Sequence, residues 1–102
     1  MKNAADEQQV REAEKKQKLR RDQELDDLKK ILTMDAGRRL VWRLLGRARV
    51  FESVWEQSAK IHYNAGQQDF GHFIMSEVIE AGPEFLLRMM QESKQQGEQT
   101  NV

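Results

Sequence analysis

Arg39, Arg43 and Arg47 recur every fourth residue, directly preceded by Arg38. On a helix this spacing stacks guanidinium groups in one stripe, and a planar fork of donors holds a carboxylate or phosphate through paired hydrogen bonds. Trp42 lies in the same stretch and Trp55 beyond it; Trp and Arg are over-represented among the residues that anchor interfaces. The chemistry on offer is capture of an anionic partner. Three readings of the stripe stay open, in this order: a solvated face paired with the chain's own acids, a contact for the acidic surface of a partner protein, and a contact for nucleic acid. The last is disfavoured because nucleic-acid domains are usually net basic, whereas this chain has 17 basic and 17 acidic side chains. Trp42 falls off the centre of its helix's apolar arc, so it either caps a small core or anchors an interface.

Little else offers chemistry. His62 and His72 are ten residues apart, which does not bring them to one helical face at metal-ligand spacing. With no cysteine and no HExxH pattern, neither a metal nor a cofactor is expected. Glu77 and Glu80 could do acid–base work only if burial tuned them, and they read as a solvated helix face. Ser53, Ser58, Ser76 and Ser93 lie outside any nucleophile-elbow context, and Gly66 and Gly71 lack a phosphate-loop pattern. The expectation is a chain without enzymatic activity.

The elements that position these residues follow from the apolar pattern of a 102-residue chain with 33% charged residues and one proline. Residues 1 to 24 carry many charges and only Met1, Val10 and Leu19 as larger aliphatics. They cannot build a core and are expected as a helical or disordered arm, with Glu12/Lys16 and Glu14/Lys18 as supporting i,i+4 pairs. Residues 25 to 93 form the expected domain. Leu25, Leu28, Ile31 and Leu32 mark one face of a first helix ending near Thr33, and Thr33 or Asp35 can cap a second. In that second helix Leu40, Val41, Leu44, Leu45, Ala48 and Phe51 share an arc, predicted to be its buried side. A connection follows from Glu52 to about Lys60, with Ser53 and Ser58 as turn formers.

A third helix is predicted from His62 or Asn64 to Ala81, burying Phe70, Phe73, Ile74, Val78 and Ala81, with Gly66 and Gly71 admitting a close neighbour. Gly82-Pro83 ends it and begins a fourth, with Phe85, Leu86, Met89 and Met90 inward. Residues 94 to 102 read as a loose polar tail. No sustained alternation signals a strand, so the fold class is all-α: a compact four-helix domain with a charged arm. No apolar run exceeds three residues, against the roughly 20 that span a bilayer, and no secretory leader is evident; a soluble protein without a membrane partner is expected.

Neutrality hides a segregation of charge. Lys29, Lys30, Arg38, Arg39, Arg43, Arg47 and Arg49 face one acid, Asp35, in one half, while Glu52, Glu56, Asp69, Glu77, Glu80, Glu84 and Glu92 face Lys60 and Arg88 in the other. The halves are complementary. A core drawn from about 68 residues is marginal alone, which favours a partner or self-assembly for its aromatic and methionine side chains.

From Asp27 to Gln91 the sequence resembles a small tailed-phage protein family named after a virion-gene product of a Bordetella phage. The resemblance rests on Asp27-Leu28 and Leu32, on Gly37-Arg38-Arg39 leading into Val41-Trp42-Arg43-Leu44-Leu45, on Phe51, on Asn64-Ala65-Gly66 and Gly71, and on Glu80-Ala81-Gly82-Pro83-Glu84 followed by Leu86-Leu87 and Met89-Met90. Gly82 departs from an expected alanine and sharpens the helix break. The resemblance implies a short-tailed-phage product of the head-and-tail assembly region, without catalytic or ligand residues. The expected role is a structural virion component, made in the host cytoplasm, that binds a ring assembly such as portal, adaptor or internal core. Its partners would be other virion proteins in many symmetric copies, with Arg38, Arg39, Trp42, Arg43, Arg47 and Trp55 as contacts and the arm laid along a neighbour. The alternatives are a DNA-contacting or packaging-associated module using the arginine stripe, and a transient scaffold.

Overall fold

The computed structural model describes residues 3–55 and 58–100, the last three by backbone alone. Glu56 of the acidic half and the chain ends 1–2 and 101–102 lie outside the described residues. Among those described, four helices and no strands occur, an all-α fold: α1 (Ala4–Thr33), α2 (Asp35–Arg47), α3 (Lys60–Ala81) and α4 (Pro83–Thr100).

The charged arm is helical and continues into the body without a break at residue 24. Its start is capped by Asn3, whose Oδ1 accepts the Asp6 N–H at 2.9 Å, and Asp6 and Glu7 sit at the positive end of the dipole. At 1.5 Å per residue, α1 is about 45 Å long. All of residues 3–20 are exposed, and the core begins only at Leu25. The radius of gyration is 19.2 Å, against about 13 Å for a compact chain of this length.

A single extended residue, Met34, separates α1 from α2. Neither Thr33 nor Asp35 caps α2 as predicted: the Thr33 hydroxyl donates to the Lys30 carbonyl at 2.7 Å, and Asp35 is already the first helical residue. The joint is so tight that a Cβ on Gly37 would overlap the Ile31 carbonyl. At its other end α2 closes with Arg49 N–H donating to Gly46 O at 3.0 Å and Val50 N–H to Leu45 O at 3.3 Å. That closure puts Arg49 at φ 59°, a left-handed position usually given to glycine. Gln68 Nε2 donates to the Arg49 and Glu52 carbonyls at 2.7 Å each, holding the turn. Ser53 and Ser58 act as turn formers, accepting the Trp55 and Lys60 N–H groups.

The core is Leu32, Val41, Leu45, Val78, Ala81 and Met89, backed by Leu25, Leu28, Trp42, Val50, Ile74, Met75, Phe85 and Leu86. The predicted inner faces are corrected by rotation. In α2 the buried stripe is Gly37, Arg38, Val41 and Leu45, continued by Ala48, while Leu40, Leu44 and Phe51 are exposed. In α3 it is Asn64, Gly71, Val78 and Ala81, which leaves Phe70 and Phe73 64% and 56% exposed. Met90 is also exposed. Gly71 admits the turn after α2, since a Cβ there would meet Val50 and Ala48, whereas Gly66 has open space and no such role. The predicted loose tail is instead helical to Thr100, because Glu, Gln and Lys are good helix formers whatever their solubility.

Candidate docking groove beside an arginine stripe

The four arginines of α2 part company by azimuth. Arg38 turns inward and is 1% exposed, so it is removed from the expected contact surface. Each of its guanidinium nitrogens is engaged: Nε donates to Glu92 Oε1 at 2.7 Å, Nη1 to the Leu32 carbonyl at 2.9 Å, and Nη2 to Asp35 and to Glu92 Oε2 at 3.4 Å. The Glu92 hydrogen bond, more than desolvation opposes it, raises the Arg38 pKa and keeps the group charged. This pair does join the basic half to the acidic half. Arg39, Arg43 and Arg47, in contrast, are exposed and make no ion pair among the described residues, so self-pairing does not account for the stripe.

Arg39, Trp42 and Arg43 of α2 line one side of a groove of about 320 Å³; Met89, Glu92, Ser93 and Gln96 of α4 line the other, together with the buried Arg38. Trp42 is half-buried and packs on Phe51 with ring centroids 5.2 Å apart. It therefore backs the core, the first of the two roles expected of it, and it also lines the groove. Arg47 lies apart, on a smaller apolar groove of about 190 Å³ between α2 and α3 that includes Leu44, Phe70 and Ile74. Trp55, 71% exposed in the link to α3, lines neither.

A second ion cluster was not evident from the sequence. Arg21 of α1 donates to both oxygens of Glu77, at 3.0 Å through Nη1, and to Glu80 of α3. The guanidinium hydrogen bond holds the Glu77 carboxyl below its ordinary range, and Glu77 followed by Glu80 raises the Arg21 pKa. These partners are 56 and 59 residues apart, so no local spacing could reveal them. Gln96 falls in the segment expected as a loose tail, and Ser93, at the end of the expected domain, gives no sequence signal beyond a hydroxyl outside any nucleophile context. Among the described residues, no group of three or more His, Cys, Asp or Glu side chains is placed to hold a metal ion, and no helix is long and apolar enough to cross a membrane.

The described residues thus form an all-α body with a projecting helical arm and a groove beside an arginine stripe that makes no ion pair among them. The chain belongs to the Bbp19-like phage protein family, whose model matches residues 28–91. The match contains α2, α3 and the first half of α4, and it leaves out the arm. No curated protein and no solved structure matches the chain.

Proposed function

We propose that this phage protein is a non-enzymatic structural component of a tailed-phage virion, bound to a ring assembly of the head–tail region such as portal, adaptor or internal core. The observation that carries the reading is the groove lined by Arg39, Trp42 and Arg43, where two cations that make no ion pair among the described residues stand beside an aromatic side chain. An acidic helix or loop with one apolar residue between its carboxylates suits it. Many copies on a symmetric ring would add bound contacts to the modest stability of each small body.

The test is quantitative mass spectrometry of purified infectious particles, counting this chain against the portal protein. A fixed ring stoichiometry is expected, lost in particles made with Arg39→Glu/Arg43→Glu or Trp42→Ala. Absence from wild-type particles would move the weight to a transient scaffold. The unpaired arginines also suit phosphate, so DNA contact is the second reading. DNA binding whose logarithm falls with log salt at a slope of about −3, the value for three phosphate contacts, would favour it.

A further inference from the structure

We propose that the acidic tip of the arm docks in the Arg39/Trp42/Arg43 groove of a second copy of the chain, linking copies head to tail. The inference names the occupant of the groove described above and rests on that groove being a docking site.

The arm is itself divided in charge. Residues 6 to 14 hold Asp6, Glu7, Glu12 and Glu14 against Arg11 alone, and Lys15, Lys16, Lys18, Arg20 and Arg21 follow. Glu7, Val10 and Glu14 fall on one face at steps of three and four, in line with the Arg21, Leu25, Leu28 and Leu32 stripe that meets the core further along α1. The tip thus carries an apolar residue with a carboxylate on either side along the helix, and the groove carries an aromatic side chain beside two guanidinium groups. Glu7 and Glu14 are about 10 Å apart along the axis and Arg39 and Arg43 about 6 Å, a difference within the reach of arginine side chains.

The tip cannot reach its own groove. α1 is unbroken, and Glu7 lies about 39 Å from Thr33, where α2 begins. Even if α2 folded straight back along α1, Arg43 would stop about 25 Å short of Glu7 and about 15 Å short of Glu14. Complementary charges held apart within one chain can meet only between chains. Glu14 has no ion pair among the described residues, and Glu7 has only an exposed one to Arg11 at 3.8 Å, which contributes little. Because tip and groove are different surfaces, each docked copy offers a free groove or a free tip. The contact is heterologous and either closes into a ring or continues.

Sedimentation equilibrium of the full chain tests this, with Glu7→Gln/Glu14→Gln and Arg39→Gln/Arg43→Gln as variants at exposed positions whose helicity is checked by circular dichroism. At low salt the wild type is expected to gain mass with concentration and to lose it as salt rises. Each variant alone is expected to remain a monomer. Their equimolar mixture should give a heterodimer and nothing larger, since one supplies only a working groove and the other only a working tip. A wild type that stays monomeric at low salt would overturn the proposal, as would variants that associate like the wild type or a mixture that stays monomeric. Salt-insensitive association would also overturn it, pointing instead to the exposed Phe70/Phe73 face. Such a failure is separable from that of the virion reading, which is decided by the presence of the chain in particles.

Discussion

Arg38 and Arg39 are adjacent and chemically identical, yet one is structural and the other free. The difference is 100° of helix azimuth. A guanidinium enters the interior only if its donors are met, and Glu92, Asp35 and the Leu32 carbonyl do this from three elements. The residue type and the four-residue rhythm were legible in the sequence, but the inward turn was not, because it depends on an acid 54 positions away. Removing Arg38 strands Glu92 and a buried carbonyl. Arg38→Ala should therefore lower unfolding stability by about 3 kcal/mol, read as a reduced urea midpoint, while Arg39→Ala stays within about 0.5 kcal/mol of wild type.

At the scale of elements, the sequence revealed that there are helices and two of the places where they break, but not the continuity of α1 through residue 24, the end of α2 at Arg47 or the run of α4 to Thr100. The Gly82-Pro83 stop and the change after Thr33 hold within a residue or so. The inner faces were harder to place, because α2 and α3 have apolar residues on more than one side. Leu40, Leu44, Phe70 and Phe73 count as hydrophobic in any periodicity, but only packing decides which arc is covered. The glycines separate the same way, since Gly71 lies where the chain passes close behind it and Gly46 faces open space. Gly71→Ala should destabilise by about 1–3 kcal/mol through overpacking against Val50 and Ala48. Gly46→Ala should stabilise by up to about 1 kcal/mol through helix propensity. Thermal melting of the two variants checks the contrast.

For the whole molecule, the arm and body are fastened where Arg21 meets Glu77 and Glu80. The Glu77 carboxyl is held below its ordinary value near 4.5. Its contribution to stability is therefore complete above that value and is lost as pH falls through the lower folded value. Urea midpoints should decline through this acid window, and Arg21→Gln should flatten that part of the profile. The arm itself was legible as a segment unable to form a core, but its continuity with α1 was not, since a boundary drawn from composition coincides with no break in the backbone. That continuity makes α1 a ruler with a phase. Lengthening it by one residue would swing Glu7 and Glu14 through 100° and away from their bearing. A seven-residue insertion would move them out by about 10 Å while turning them by only about 20°. The number of residues in the arm thus specifies both how far away a neighbour is met and which way the meeting surface points.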